Sequence, residues 1–257
     1  MNDAKIELGW SYKPPDYFEE KIVWNREDYS VEIADGRIIA QMDAGFFDSK
    51  TGLRDLLTRE FNDYFRGALP IRRRTFEICR GSISRISPDG RRDTTLEVQA
   101  AEHILTGENV DLIHTGADGK VIGDTRRSRI EPTKKLAEFS SRYAPTDPTV
   151  SRILDSFDAP VRYPGNELIC LYEVWEALQT IFRGERKARK TLGIEKGDRS
   201  RLTNLANKEP LNQGRHRGKF AGKLRSATAG ELDEAWAIAR GMYEKYLSYL
   251  NKRDEPK

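Results

Sequence analysis

The spacing of apolar residues changes partway along this chain. Up to about residue 130 they come in short β-prone runs separated by turn residues, and from Asn166 they recur every three or four positions. A sheet and a helical bundle need these two different periods, so two units are expected.

In the first part, Lys21–Trp24, Tyr29–Ala34 and Arg37–Met42 read as strands, with Asp35-Gly36 between the second and third. An Asp-Gly pair between β-prone runs is a strong hairpin signal, because both turn positions require positive φ. Asp48 or Ser49 is placed to cap a helix carrying Leu53, Leu56, Leu57, Phe61, Tyr64 and Phe65 on one face. Strand character returns over Thr75–Ile86, Thr94–Gln99, Val110–His114 and Lys120–Ile122, with turns at Pro88-Asp89-Gly90 and Asp118-Gly119. Tight turns join sequence neighbours, so the sheet is expected to be antiparallel.

Prolines at 132, 145, 148, 160 and 164 mark residues 131–165 as a connector with one short helix, Thr149–Phe157. Asn166 then opens a helix apolar around more than half its circumference, from Leu168 to Phe182. The last helix starts at Thr228-Ala-Gly-Glu231, which has the form of a capping box. The expected fold class is α+β, an antiparallel sheet with one or two helices followed by a helical bundle. The expected units are residues 1–130, the connector, and 166–257.

Charge is distributed unevenly between these parts. The 257 residues carry 44 Lys and Arg against 41 Asp and Glu, a net +3. Arg183–Arg225 alone has 14 basic and 4 acidic residues, which makes it +10 and leaves −7 elsewhere. Two clusters stand out there. Arg183, Arg186, Lys187 and Lys190 share one face if the helix continues past Phe182. Arg215, His216, Arg217 and Lys219 lie around Gly214 and Gly218, glycines that let a backbone approach another surface.

Guanidinium groups hold phosphate in a bidentate fork, and cationic neighbours favour a neutral imidazole, the form that takes a proton. RNA or DNA is therefore the expected partner, through Arg186, Lys187, Lys190, Arg215, Arg217 and Lys219, with an anionic protein as a further partner class. The bland alternatives are a solvated loop, or arginines tied to acids of the bundle such as Glu173 or to the acidic remainder of the chain. Arg72-Arg73-Arg74 is read as edge-strand protection.

Other chemistries are disfavoured. Phosphate-cradling loop, dinucleotide fingerprint, HExxH and nucleophile elbow are all missing. Cys79 and Cys170 have no CxxC partner, and a site built from His103 and His114 with Asp111 or Asp118 matches no ligand spacing. No metal and no cofactor is expected. No apolar run is long enough to span a membrane, and Met1–Pro15 does not read as an export signal, so the expected location is cytoplasmic.

The stretch from about Asn166 to Leu250 resembles the C-terminal part of a group of bacterial proteins without an assigned reaction. Leu171-Tyr-Glu-Val-Trp-Glu-Ala-Leu178 and Leu205-Ala-Asn-Lys-Glu-Pro-Leu-Asn-Gln-Gly-Arg-His-Arg-Gly218 carry the resemblance. Its helical layout is also similar to the HEPN superfamily, whose nuclease members cleave RNA with an Arg and a His and whose bundles often dimerise. That resemblance implies a ribonuclease working as a homodimer, with His216 as general base and Arg215 stabilising the phosphorane. In the HEPN nuclease pattern four to six residues separate the Arg from the His. Here those positions hold Leu211, Pro210 and Glu209.

Overall fold

The computed structural model describes residues 4–96, 113–115, 120–220 and 222–255, with the backbone alone for 113 and 114. The chain divides into two compact units. One is built from Met1–Asn62 and Phe76–Lys134, the other from Asp63–Thr75 and Lys135–Lys257.

The first unit is a six-stranded antiparallel sheet: β1 (Lys5–Lys13), β2 (Ile22–Asn25), β3 (Tyr29–Ala34), β4 (Arg37–Asp43), β5 (Glu77–Ile86) and β6 (Arg92–Leu96), in the order β2-β3-β4-β1-β5-β6. The α+β class follows. At the Asp35-Gly36 turn both residues have positive φ (49° and 76°), and Ala34 pairs with Arg37 across it. β6 ends at Leu96, and the rest of the expected strand to Gln99 lies outside the described residues. A second, two-stranded sheet pairs β7 (Ile113–Thr115) with β8 (Val121–Asp124).

β1 was not among the expected strands, yet it lies inside the sheet between β4 and β5. Its signal is alternation, because Ile6, Leu8, Trp10 and Tyr12 are buried while Lys5 and Ser11 are exposed. A search for apolar runs passes over such a strand.

Helix α1 (Ala44–Ser49) and helix α2 (Leu53–Arg72) follow β4. Asp48 and Ser49 do not cap α2. Asp48 accepts from Arg85 at 2.6 Å, Ser49 donates to the Phe46 carbonyl at 2.7 Å, and Gly52 (φ 76°) breaks the chain before α2 begins. Leu57 and Phe61 are fully buried, but Leu56 points to solvent at 55% exposure. Trp10 meets the Phe61 ring edge-on at 4.9 Å and donates to Thr58 Oγ1 at 3.0 Å, which satisfies its indole N–H inside the core.

Arg72-Arg73-Arg74 is not an edge strand. Arg72 ends α2, and Arg73 turns the chain with φ 49°. Arg73 then pairs with Asp233 and lies 4.9 Å over the Trp236 ring, within the second unit.

The proline-bearing stretch is more helical than expected. α3 (Thr125–Tyr143) runs through Pro132, and α4 (Pro148–Arg162) carries Pro160 in its last turn. Pro148 opens α4, where its missing N–H costs nothing. Asp147 caps that helix by accepting from the Thr149 and Val150 N–H groups, and its other oxygen accepts from Tyr246 at 2.9 Å. Both helices stop two residues before a proline, Pro145 and Pro164, where the residue preceding proline is pushed out of helical geometry.

The remaining helices are α5 (Glu167–Ile181), α6 (Glu185–Leu192), α7 (Lys196–Thr203) and α8 (Ala229–Asp254). Leu171, Val174, Trp175 and Leu178 of α5 are completely buried, as the all-round apolar pattern requires. Phe157 of α4 stacks on Trp236 of α8 at 5.6 Å. The capping box is present, with the Thr228 side chain and Glu231 each accepting from the other's backbone N–H. Among the described residues, no helix is long and apolar enough to cross a membrane.

Candidate nucleic-acid interface

The +10 segment is not one helix and a loop. α5 stops at Ile181, and Arg183 (φ 55°) and Gly184 (φ 129°) turn the chain before α6 begins. Arg183 therefore does not extend the basic face of α6. Within α6, Ala188 and Leu192 are buried, and Arg186, Lys187 and Lys190 project on the opposite side. All three are exposed, and none has a side-chain partner among the described residues. Gly193 ends α6 in the left-handed conformation, and Lys245 donates to its carbonyl at 2.6 Å.

The second cluster behaves differently. α7 runs into a π-helical turn, Asn204–Lys208, and the chain returns over it. The Arg215 N–H donates to the Ala206 carbonyl at 2.7 Å. Gly214 is buried there, and a Cβ on it would lie 3.1 Å from the Ala206 oxygen and 3.3 Å from the Leu211 oxygen. The close approach that this glycine permits is to its own chain. Gly218 has nothing within 4 Å of a built Cβ.

Arg215 pairs with Glu176 at 2.6 Å and lies 5.3 Å over the Tyr172 ring. The expected partner was Glu173, but that residue is exposed and the guanidinium is taken by Glu176 instead. Arg217 donates to the Gly165 carbonyl at 2.8 Å, to Asn166 Oδ1 at 2.6 Å and to the Gly214 carbonyl at 3.2 Å. It ties the loop to the start of α5. His216 and Lys219 are exposed, with the Lys219 ammonium 5.7 Å from the Phe220 ring.

Carboxylates also pair with two further arginines. Arg201 donates to Glu209 and Glu234, both at 2.8 Å. Arg225 grips Glu231 with two bonds of 2.7 Å and also reaches Glu209 at 3.1 Å. Glu231 is held down to about 2, first by Arg225 and then by the Thr228 N–H. Burial and the neighbouring Glu173 and Glu167 push the Cys170 thiol up, away from the nucleophilic thiolate.

Arg217 is fixed at the N-terminal end of α5 and Arg215 is held by Glu176 further along it, so neither guanidinium is free to join the open cations of α6. Of the expected site residues, Arg186, Lys187 and Lys190 stand together on one open face, His216 and Lys219 are also exposed, and Arg215 and Arg217 are engaged internally. Among the described residues no group of three or more His, Cys, Asp or Glu is arranged to hold a metal. His103 and the His114 side chain lie outside the described residues.

The architecture defines an α+β protein, with a six-stranded antiparallel sheet followed by a helical region. No protein family, no curated protein and no solved structure matches the chain.

Proposed function

We propose that the helical unit is a binding module for nucleic acid, with α6 as its phosphate-contacting element and no reaction of its own. One observation carries this reading. Arg186, Lys187 and Lys190 share the solvent face of one eight-residue helix without an acidic partner, while Arg199, Arg201, Arg215 and Arg225 nearby are all paired with carboxylates. Three cations this close together repel one another; bound phosphates relieve that repulsion, and the polymer's released counterions add to the driving force.

The test is a titration of mixed-sequence DNA and RNA with the full chain at several salt concentrations. Each phosphate neutralised contributes about −0.9 to the slope of log affinity against log salt on duplex DNA. The triple substitution R186A/K187A/K190A is expected to flatten that slope by roughly 2 to 3. An affinity indifferent to salt, or a triple variant that binds as the natural chain does, overturns the reading.

Cleavage with His216 as general base and Arg215 as phosphorane stabiliser has less support. The Arg215 charge is already spent on Glu176, and no described side chain orients the His216 ring.

A further inference from the structure

We infer that α6 and α7 together form a helix-turn-helix unit that reads the major groove of duplex DNA, with α6 on the phosphates and the outer face of α7 on the base edges. This rests on the proposed function and narrows its partner.

The local build supports it first. Two helices of eight residues are joined by Gly193-Ile194-Glu195, a three-residue connection that starts with a left-handed glycine. That is the connection a helix-turn-helix uses. The turn is held in place, because Ile194 is buried, its N–H donates to the Arg189 carbonyl at 3.0 Å, and Lys245 holds the Gly193 carbonyl. Arg199 of α7 reaches back to Glu185 at the start of α6 at 2.5 Å, an ion pair that spans the turn.

The outer face of α7 has the right chemistry for reading bases. Leu202 of α7 and Leu205 and Ala206 of the π-helical turn are buried, and on the opposite side exposed Lys196 and half-buried Ser200 of α7 are followed by half-buried Asn204 at the start of that turn, at intervals of four. The Ser200 hydroxyl and Asn204 amide have no hydrogen-bond partner among the described residues. Amide, hydroxyl and ammonium groups are the donors and acceptors that distinguish base pairs in the major groove. Glu195 and Asp198 are exposed beside them and repel phosphate, so this helix does not serve as a second backbone clamp.

The same segment argues against other nucleic acids. Single-stranded DNA and RNA are held by stacking bases on aromatic rings, and Arg183–Lys219 contains no Phe, Tyr or Trp. Duplex RNA offers a major groove too narrow for a helix, whereas that of B-form DNA, about 12 Å wide, admits one.

The experiment selects from a pool of DNA duplexes with a randomised core, using the full chain. It then measures affinity for the enriched duplex, a scrambled duplex, each separate strand and an RNA duplex of the same sequence. The enriched duplex is expected to bind at least tenfold more tightly than every other probe. Asn204→Ala and Ser200→Ala, helix-compatible changes checked by circular dichroism, should reduce the preference over the scrambled duplex by about 5- to 100-fold. Both should weaken the scrambled duplex far less than the enriched one, and R186A/K187A/K190A should weaken both duplexes alike. No enriched sequence, an unchanged preference in Asn204→Ala, or equal binding of RNA or single strands overturns the inference and leaves the proposed function standing. Undiminished binding by the α6 triple variant removes both.

Discussion

Alanine in place of Gly67 offers a stringent test of the packing, because helix propensity and packing predict opposite signs. Gly67 lies inside α2, where exchange to alanine normally stabilises a helix by about 1 kcal/mol. Here a Cβ would sit 2.6 Å from Ser140 Cβ and 2.7 Å from the Ala137 Cα of α3, so backbone or a short side chain has to move by about 1 Å. Overpacking of that kind costs about 1–3 kcal/mol. Ser140 also bonds the Tyr243 hydroxyl at 2.8 Å in a fully buried position, and displacing it costs about 1 kcal/mol more. The net expectation for Gly67→Ala is a loss of about 1–3 kcal/mol, a fall in melting temperature of roughly 3–10 °C. Gly241, inside α8, has nothing within 4 Å, so Gly241→Ala should raise the melting temperature by about 2–4 °C. Thermal unfolding of the two variants beside the parent chain decides the matter. If Gly67→Ala melts at or above the parent temperature, α2 and α3 do not approach as described.

The remaining predictions concern the basic segment. Glu231 is depressed to about 2 by Arg225, so the stability it contributes is fully present above its ordinary value of 4.5 and is lost as pH falls toward 2. The melting-temperature gap between parent and Glu231→Gln should be open at pH 7 and close between about pH 4.5 and 2; a gap independent of pH refutes the pairing. Arg217→Ala removes two hydrogen bonds that tie the loop to the start of α5 and one within the loop, so it should cost about 1–3 kcal/mol in denaturant unfolding and leave the salt dependence of binding unchanged. A flattened salt slope in that variant would return Arg217 to the interface.

What the sequence makes legible is local. Asp35-Gly36 specifies its hairpin through the φ values it tolerates, and Thr228 with Glu231 specifies the start of α8, because both signals act over two to four residues. The alternation in β1 is equally local, but three charged side chains among its nine residues disguise it. Charge compensation is another matter. Arg201 is neutralised by Glu234 and Arg215 by Glu176, acids 33 and 39 residues away, so composition shows the excess of cations without showing which remain free. The choice of Glu176 over Glu173 turns on where the loop crosses α5, and the π-helical turn at Asn204–Lys208 sets that crossing. Arg72-Arg73-Arg74 misleads for a similar reason, since the Trp236 ring that receives Arg73 comes from the far end of the chain.

The helical unit takes one piece of itself, Asp63–Thr75, from the middle of the sheet unit's sequence. On the ribosome that piece emerges well before its partners. At roughly 5–20 residues per second, some ten to forty seconds of synthesis separate it from the end of α8. Through that interval Tyr64, Phe65, Ala68 and Leu69, all buried in the finished protein, have no complete core to enter. A gene cut near codon 130 would make the delay permanent, yielding one fragment with a stranded greasy helix end and another with a hole where that end belongs.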